Sequence, residues 1–420
     1  MAKNFLQVFE YEQLRYSENN DFTKSQFDAL VDFNVQHNNK YFTVINKGIQ
    51  FKQYVGVINV GGLTIEILPK VDRNTKADKD LWQGVLLNML AICKKIKVDN
   101  VSTAHLKKRH NSILEVYFEL YLNEVESLIR KGLIKRYRKT HSNQKALKGK
   151  LIFNKNLQKN LVHKERFFCE HQVYDKDHLI HSIIFKALKI LERIGPPVLK
   201  DRLNRLLFQM MDFKEIPINE SDFTRVRLNR KSQVYSDALD IAKMLILNYS
   251  PNVSSGKDKM LTLLFDMNKL WEEFIYQVLL KYKKKGIKVQ GQRIKKFWEW
   301  KKIAPDIVVT NLDTKEKIII DTKWKMVENS QPGDEDLKQM FAYNLLWGAE
   351  KSILLYPKVA QVDSKFGEYT FKPVDTTSLP TVDFKKKRNT CKLGFVSVID
   401  EYGLKENKRI VEEIFDKLYV

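Results

Sequence analysis

The chain has 420 residues, a formal net charge of +22 and 43% hydrophobic residues. This length predicts two or three domains, and the hydrophobic share is enough to form buried cores. Only 16 glycines and 10 prolines are present, which excludes collagen-like and low-complexity classes. The positive charge favours a polyanionic partner, most commonly nucleic acid, and a basic composition without such a partner is the alternative.

The sequence also predicts where the protein is located. The first residues contain no secretory signal, and no run approaches the ~20 apolar residues that a membrane span needs. The three cysteines, Cys93, Cys169 and Cys391, are far apart and form no CxxC pair. We therefore expect buried, inert thiols and a cytoplasmic protein of a bacterium or archaeon, with no membrane partner and no cysteine-based zinc site.

The first third of the chain combines strands and helices. Residues 54–69 predict two strands joined at Gly61-Gly62, a hairpin signal. Apolar residues from Leu81 onward recur with a helical period, and a second helix is predicted over 111–131.

The segment 131–166, which we call the basic finger, concentrates positive charge. It contains twelve Lys/Arg and one acid, Glu165, so it carries +11 of the total +22. Interspersed aromatic residues predict a structured hairpin or finger rather than a disordered tail. Contact with phosphate or with an acidic partner surface is the functional interpretation, and a solvated charged face is the alternative.

The middle of the chain predicts helices over 171–213, interrupted at Gly195-Pro-Pro197. Turn-forming residues cluster at 250–256, which predicts a linker. We therefore expect two regions, 1–250 and 251–420. The apolar period over 263–280 predicts a helix that carries Glu272 and Glu273.

The most informative pattern follows. Residues 304–310 and 317–325 predict two strands of a hairpin, which brings Asp306 and Asp321 towards the same end of a sheet. Two carboxylates and a backbone carbonyl there offer the hard oxygen ligands that Mg²⁺ prefers. Asp321 and Lys323 are two residues apart, so their side chains share one face of the strand. A lysine beside a metal-bound water suits phosphodiester hydrolysis.

A helix over 336–347 places Gln339 and Tyr343 on one face, and 352–357 predicts another strand. The resulting order, α-β-β-β-α-β, resembles the PD-(D/E)XK nuclease fold, and the Gln-x-x-x-Tyr helix resembles its RecB-like branch. The alternative is that Asp306 and Asp321 are turn or cap residues and that Lys323 lies on the surface.

Further segments narrow this resemblance to the McrC family, the nuclease subunits of McrBC modification-dependent restriction systems. The similarity covers nearly the whole chain and rests on 57–70, 147–153, 265–274, Pro305-Asp306, 318–325 and Gln339-x-x-x-Tyr343. One departure is Gly149-Lys150, where many members have Gly-Arg. The resemblance implies an α/β fold, α+β overall. A β-rich and helical partner-docking region would precede a nuclease domain with a central mixed sheet flanked by helices.

The resemblance also implies roles for individual residues. Asp306 and Asp321 would bind Mg²⁺ with the Thr322 carbonyl, and Lys323 would position or activate the attacking water. Gln339 and Tyr343 would support the site or contact DNA, and Glu272 would complete the metal site. Within the basic finger, contact with the partner or its phosphates is expected from Arg136, Arg138 and Lys150.

The partner implied by the resemblance is a hexameric ring of a McrB-like AAA+ GTPase, with double-stranded DNA as substrate. GTP would be bound by the ring, since this sequence contains no G-x-x-x-x-G-K-[ST] motif. The family stimulates that GTPase and cleaves DNA containing 5-methylcytosine. All eight histidines lie at or before His181, which excludes an HNH nuclease in the C-terminal region. A non-catalytic assembly protein that clamps DNA and a stand-alone repair nuclease are the competing hypotheses.

Overall fold

The computed structural model describes residues 5–69, 78–95, 112–251, 259–325, 327, 331–358, 363–369 and 389–419. The chain forms two compact units, one of residues 1–113 with 263–420 and one of residues 114–262. The N-terminal residues thus share a unit with the C-terminal ones, whereas the boundary expected near residue 250 lies close to the end of the second unit. A division by function at that point stays a prediction.

The described residues form eleven α-helices and twenty-one β-strands. The α-helices in the described residues are α1 Lys24–Gln36, α2 Lys79–Ile92, α3 Ile113–Lys131, α4 Phe153–Asn160, α5 Leu179–Ile194, α6 Lys200–Gln209, α7 Glu220–Arg225, α8 Ser236–Leu247, α9 Met267–Tyr282, α10 Asp334–Trp347 and α11 Asn407–Tyr419. Short 3-10 turns lie at Pro197–Leu199 and Gln233–Tyr235. No helix among these residues has the length and apolar character that a membrane span requires.

The β-strands of the described residues are distributed along the whole chain. They are β1 Phe5–Phe9, β2 Gln13–Arg15, β3 Phe42–Ile45, β4 Gly48–Phe51, β5 Tyr54–Val60, β6 Leu63–Leu68, β7 Arg136–Gln144, β8 Lys150–Leu151, β9 Phe167–Asp175, β10 Tyr249–Pro251, β11 Lys259–Asp266, β12 Ile287–Gly291, β13 Lys295–Trp298, β14 Lys301–Ile303, β15 Ile307–Asn311, β16 Lys317–Thr322, β17 Lys351–Pro357, β18 Gly367–Glu368, β19 Thr390–Val396, β20 Ile399–Asp400 and β21 Gly403–Leu404.

The hairpin predicted at residues 54–69 is confirmed. β5 and β6 pair antiparallel, and Gly61 and Gly62 form the turn with φ of +53° and +83°, which glycine adopts at low cost. The alternation of apolar and polar residues at 63–68 predicts one apolar face, but both faces of this hairpin are buried. The buried carboxylate of Glu66 accepts hydrogen bonds from the side chains of Gln7 and Gln83 and from the N–H of Ile113.

A six-stranded mixed sheet lies in the same unit, in the order β12-β15-β16-β17-β19-β18. β12, β15 and β16 run antiparallel, and β16, β17 and β19 run parallel. This agrees with the mixed α/β fold that the sequence predicts. A two-stranded hairpin, β13–β14, is inserted in the chain between β12 and β15.

Helices cover this sheet because its strands are apolar on both faces. Val308, Ile319 and Leu354 pack with Met340 and Trp347 of α10 in one buried cluster. Their neighbours in the strands, such as Ile307 and Ile320, are equally buried and point to the opposite face, since side chains alternate along a strand. α9 also contacts β16, and α11 contacts β19.

Two sequence predictions need correction, and two fall outside the described residues. The helix expected from residue 263 begins only at Met267, because 263–266 belong to β11 and the Asp266 side chain caps the helix by accepting from the N–H groups of Asn268 and Lys269. Residues 171–175 are part of strand β9 and not helical. The predicted linker residues 252–256 lie outside the described residues, and so does the basic run 385–388, for which the sequence predicts contact with phosphate.

The second unit, considered by itself, carries the basic finger. β7, β9 and β8 form a three-stranded sheet against which α4 packs, while α5 packs with α6 and α8. The prediction of a structured basic finger is confirmed, although its long partner strand, β9, lies beyond residue 166.

All three cysteines of the chain are free and buried, as expected.

We expect Gly56→Ala to lower the free energy of unfolding by about 3 kcal/mol. Gly56 has φ of +132°, and an added Cβ would lie 2.1 Å from the backbone oxygen of Leu263 on the adjacent strand. Gly62→Ala is the matched control, because Gly62 also has a positive φ but has no atom within 4 Å of the added Cβ. That variant should lose only about 1–2 kcal/mol. Equal losses in urea denaturation would contradict the steric argument.

Candidate active site

The two aspartates predicted to form the site lie at the open end of one hairpin. β15 and β16 pair antiparallel, with Ile307 opposite Ile320. Asp306 precedes Ile307 and Asp321 follows Ile320, so the two aspartates lie at the same end of the hairpin. The Oδ2 atom of Asp306 accepts a hydrogen bond from the N–H of Thr322 at 2.7 Å and from its hydroxyl at 2.9 Å. The strand that carries Asp321 thus also holds the carboxylate of Asp306.

Asp321 is 2% exposed, and Lys323 lies on the same face of the strand, as its spacing predicts. Nζ of Lys323 forms an ion pair with Oδ2 of Asp321 at 2.8 Å. That oxygen is buried, so the ion pair is shielded from water. Burial, and after it the charge of Asp306, raises the pKa of Asp321 to about 7.

Burial also raises the pKa of Asp306, against the hydrogen bonds from Thr322. Burial would lower the pKa of Lys323, but the neighbouring Asp321 carboxylate outweighs it and the pKa lies above its usual value. Lys323 is therefore an ammonium at neutral pH. The site holds more negative charge than its single adjacent lysine can balance.

The structure adds an acidic residue that the sequence analysis missed. Asp336, in the first turn of α10, lies 3.5 Å from Nζ of Lys323 and 2.8 Å from Nζ of Lys325. Lys323 is thus held between two carboxylates. A signal was present, because Asp336 is three residues before Gln339 and shares its helix face.

Glu272 reaches the site from α9. It lines a cavity of about 520 Å³ together with Asp306 and Gln292, and its Oε1 accepts from the Gln292 amide at 2.7 Å. Burial, and then the charge of Asp306, raises its pKa. Glu273 lines the same cavity but forms an ion pair with Lys95 at 3.1 Å. Glu272 is therefore the glutamate whose charge interacts with Asp306.

Gln339 and Tyr343 of α10 form a hydrogen-bonded pair that contacts the backbone just before Asp306. The Gln339 amide donates to the Tyr343 hydroxyl at 2.8 Å, and that hydroxyl donates to the backbone oxygen of Ala304 at 2.8 Å. Ala304 is two residues before Asp306. In this structure the pair fixes the segment that leads into the aspartate.

These residues offer a chemically suitable site for Mg²⁺. Asp306, Asp321 and Glu272 provide carboxylate oxygens and Thr322 a backbone carbonyl, which are hard ligands. The observation that favours a cation there is the mutual repulsion of these carboxylates, since, after burial, the charge of Asp306 raises the pKa of both Asp321 and Glu272. Within the described residues, no three His, Cys, Asp or Glu side chains already form a complete ligand cluster. Carboxylates from Asp306, Asp321 and Glu272, the Thr322 carbonyl and water are thus the donor set that fits.

The basic finger brings its three predicted contact residues into different surroundings. The Arg138 guanidinium binds both oxygens of Asp175 and lies 3.0 Å from Asp177, so its charge is already paired. Arg136 has its terminal nitrogen 3.5 Å from the backbone oxygen of Arg227. Lys150 is exposed, and no carboxylate of the described chain forms an ion pair with it.

The family described as "McrBC 5-methylcytosine restriction system component" matches residues 49–357, which is well over half of the chain. The chain belongs to this family. This confirms the resemblance to McrC-containing systems that the sequence analysis reports. No curated protein matches the chain.

Solved structures of McrBC assemblies share the fold. A chain of the refined half-complex from the tetradecameric assembly of Thermococcus gammatolerans McrB AAA+ hexamers with bound McrC aligns with a TM-score of 0.72 at 19% identity, covering 98% of this chain and 99% of that one. A chain of the cryo-EM structure of the Thermococcus gammatolerans McrBC complex aligns with a TM-score of 0.52 at 22% identity, covering 67% and 88%. At these identities the similarity establishes the fold of this McrBC family member.

We expect Thr322→Val to lower the free energy of unfolding by about 1.5–3 kcal/mol at pH 8, because it removes a hydroxyl donor from the ionised Asp306. Thr310→Val on the neighbouring strand makes the same isosteric change away from the carboxylates and should cost less than about 0.5 kcal/mol. Urea denaturation measures both. An equal loss would show that the hydroxyl does not hold Asp306.

Proposed function

We propose that this McrBC family member is a Mg²⁺-dependent DNA endonuclease subunit of a restriction complex, with an active site of the PD-(D/E)XK type. The observation that carries the proposal is the convergence of Asp306, Asp321 and Lys323 at the end of one hairpin. Carboxylates whose pKa values are raised, beside an ammonium and at the edge of a cavity, mark a candidate functional site.

The cation, when bound, would polarise a water molecule and neutralise charge on the phosphodiester. Asp306 and Asp321 would hold it, with the Thr322 carbonyl and with Glu272 from α9. Lys323 is protonated, so its ammonium would stabilise the negative charge that develops on the phosphate oxygens. Tyr343, aided by Gln339, keeps the Asp306 segment in place, and Asp336 orients Lys323.

The proposed partner is a hexameric ring of an AAA+ GTPase like McrB. McrB hexamers with bound McrC are the content of the structure that aligns over 98% of this chain, which supports the proposal. The sequence carries no P-loop of its own, so GTP would be bound and hydrolysed by the partner. The substrate would be foreign double-stranded DNA containing 5-methylcytosine, in keeping with the description of the family.

We expect Asp321→Asn and Lys323→Ala each to lower cleavage of methylated DNA by about 10²–10³-fold, because each removes a charge from the reaction site. The measurement is cleavage by the chain with its cognate GTPase, GTP and Mg²⁺. Both variants should still stimulate GTP hydrolysis, which reports on docking alone.

Lys325→Ala is the matched control for that experiment. Lys325 also forms an ion pair with Asp336, but its side chain is 52% exposed and it does not contact Asp321. Its replacement should change cleavage only severalfold. Cleavage at the wild-type rate by Asp321→Asn would refute the assignment of the active site to these residues. DNA binding without cleavage by the wild-type chain under any partner condition would instead favour a protein that only clamps DNA.

For the basic finger, we expect Arg136→Ala to lower the stimulation of GTP hydrolysis about tenfold, which corresponds to the loss of one charge-assisted contact. Arg138→Ala should lower the stimulation less, because the Arg138 guanidinium already forms ion pairs with Asp175 and Asp177. Stimulated GTPase rates at saturating protein test this order. The reverse order would show that Arg138 leaves its aspartates when the partner binds.

A further inference from the structure

The β13–β14 hairpin, with its flanking residues 293–305, carries side chains that the proposed reaction does not use. We call this segment the tryptophan hairpin. Of the six tryptophans in the chain, Trp82, Trp271, Trp324 and Trp347 are at most 7% exposed. The remaining two, Trp298 and Trp300, are 56% and 77% exposed, and both lie in this segment.

The tryptophan hairpin has no core of its own to explain these residues. All four residues of β13 are exposed, as are Lys301 and Lys302 of β14. Ile294 and Phe297 add further exposed apolar surface at 63% and 55%. A two-stranded hairpin with both faces in water is only marginally stable by itself. Its apolar side chains therefore contribute little to folding and remain available for a ligand.

Contacts with α10 nevertheless attach both strands of the tryptophan hairpin to the rest of the unit. In the first strand, Nζ of Lys295 donates to the backbone oxygen of Leu346 at 2.6 Å and lies over the ring of Trp347. Beyond the second strand, the Ala304 oxygen accepts from Tyr343. Both anchors belong to α10, the helix that also carries Asp336.

The two ends of the tryptophan hairpin meet at the proposed active site. The N–H of Gln292 donates to the backbone oxygen of Asp306 at 3.0 Å. The same two residues line the cavity that Glu272 faces. The hairpin thus leaves the fold directly from the rim of the carboxylate site.

Charge and aromatic character together identify the partner as nucleic acid. Residues 293–305 contain five Lys/Arg and a single acid, Glu299. Basic side chains neutralise phosphates, and tryptophan rings stack on bases or wedge between them. Within the segment, Nζ of Lys301 lies 5.8 Å from the ring centre of Trp298, so cation and ring are presented side by side.

We propose that the tryptophan hairpin contacts DNA beside the cleavage site, with Trp298 or Trp300 stacked on, or inserted between, bases and with Lys296 and Lys302 on phosphates. Trp300 precedes Asp306 by six positions, and an extended strand spans about 3.3 Å per residue, so the reach is about 20 Å. At 3.4 Å per base pair, the contacted step lies within about six base pairs of the scissile phosphate. This inference rests on the proposed nuclease function and deepens it.

The first test is the binding of a fluorescein-labelled 30-base-pair duplex to the full chain, with Ca²⁺ in place of Mg²⁺, followed by fluorescence anisotropy over a salt series. We expect the double variant W298A/W300A to bind at least tenfold more weakly with an unchanged salt slope, since stacking is not ionic. K296A/K302A should reduce the slope by about 2. Tyr402→Ala, an exposed aromatic of another turn in the same unit, should bind like wild type.

The second test locates the contact. Duplexes carrying 5-iodouracil at single steps are irradiated with the chain assembled on its cognate GTPase. Crosslinks to Trp298 or Trp300 are expected within about six base pairs of the cut. Because these side chains are exposed, the variants should keep the wild-type melting temperature.

Three outcomes would overturn the inference. They are wild-type DNA affinity of W298A/W300A, an absence of crosslinks at every step, and a wild-type chain that binds no duplex with or without the GTPase. Loss of ring assembly with intact DNA binding would assign the surface to a protein partner instead. Asp321→Asn in the same assays separates the two claims: it should bind DNA and crosslink but cut about 10²–10³-fold more slowly, and cutting at the wild-type rate would refute the proposed active site whatever the hairpin does.

Discussion

The arrangement of the site depends on one constraint, the register between β15 and β16. The short turn at residues 312–316 fixes that register, because turn geometry sets the pairing of a hairpin, and Asn311 closes this turn by accepting hydrogen bonds from the N–H groups of Asp313 and Thr314. Because Ile307 lies opposite Ile320, Asp306 and Asp321 must meet at the open end of the hairpin. Asp306 then accepts two hydrogen bonds from Thr322, and Asp321 lies beside Lys323. Packing of a hydrophobic sheet thereby brings together charges that repel each other.

Such an arrangement costs folding free energy. Burial raises the pKa of Asp306, Asp321 and Glu272, which means that each charge is less stable there than in water. Lys323 and the hydrogen bonds of Thr322 offset part of this cost. Local repulsion is what a divalent cation relieves on binding, so the same electrostatics that weaken the fold strengthen the proposed cation site.

The sequence predicts contacts within one hairpin better than contacts between distant segments. Asp306, Asp321 and Lys323 could be found because the strand period and the hairpin spacing place them together. Glu66 could not be predicted to be buried, since its partners Gln7, Gln83 and Ile113 are brought in by tertiary packing. The strand at 263–266 was misread because its apolar residues continue the helical period of α9, and only the cap at Asp266 marks the change.

The surplus of positive charge now divides between structures of different kinds. The basic finger belongs to the second unit, and its Arg138 is neutralised by its own aspartates. The tryptophan hairpin belongs to the first unit and begins at the rim of the carboxylate site. A surface that binds DNA through phosphates loses affinity steeply with salt, whereas stacking contributes a part that does not. If each surface has the proposed role, salt should weaken DNA binding without removing the preference for bases near the cut, because Trp298 and Trp300 hold those bases by contact rather than by charge.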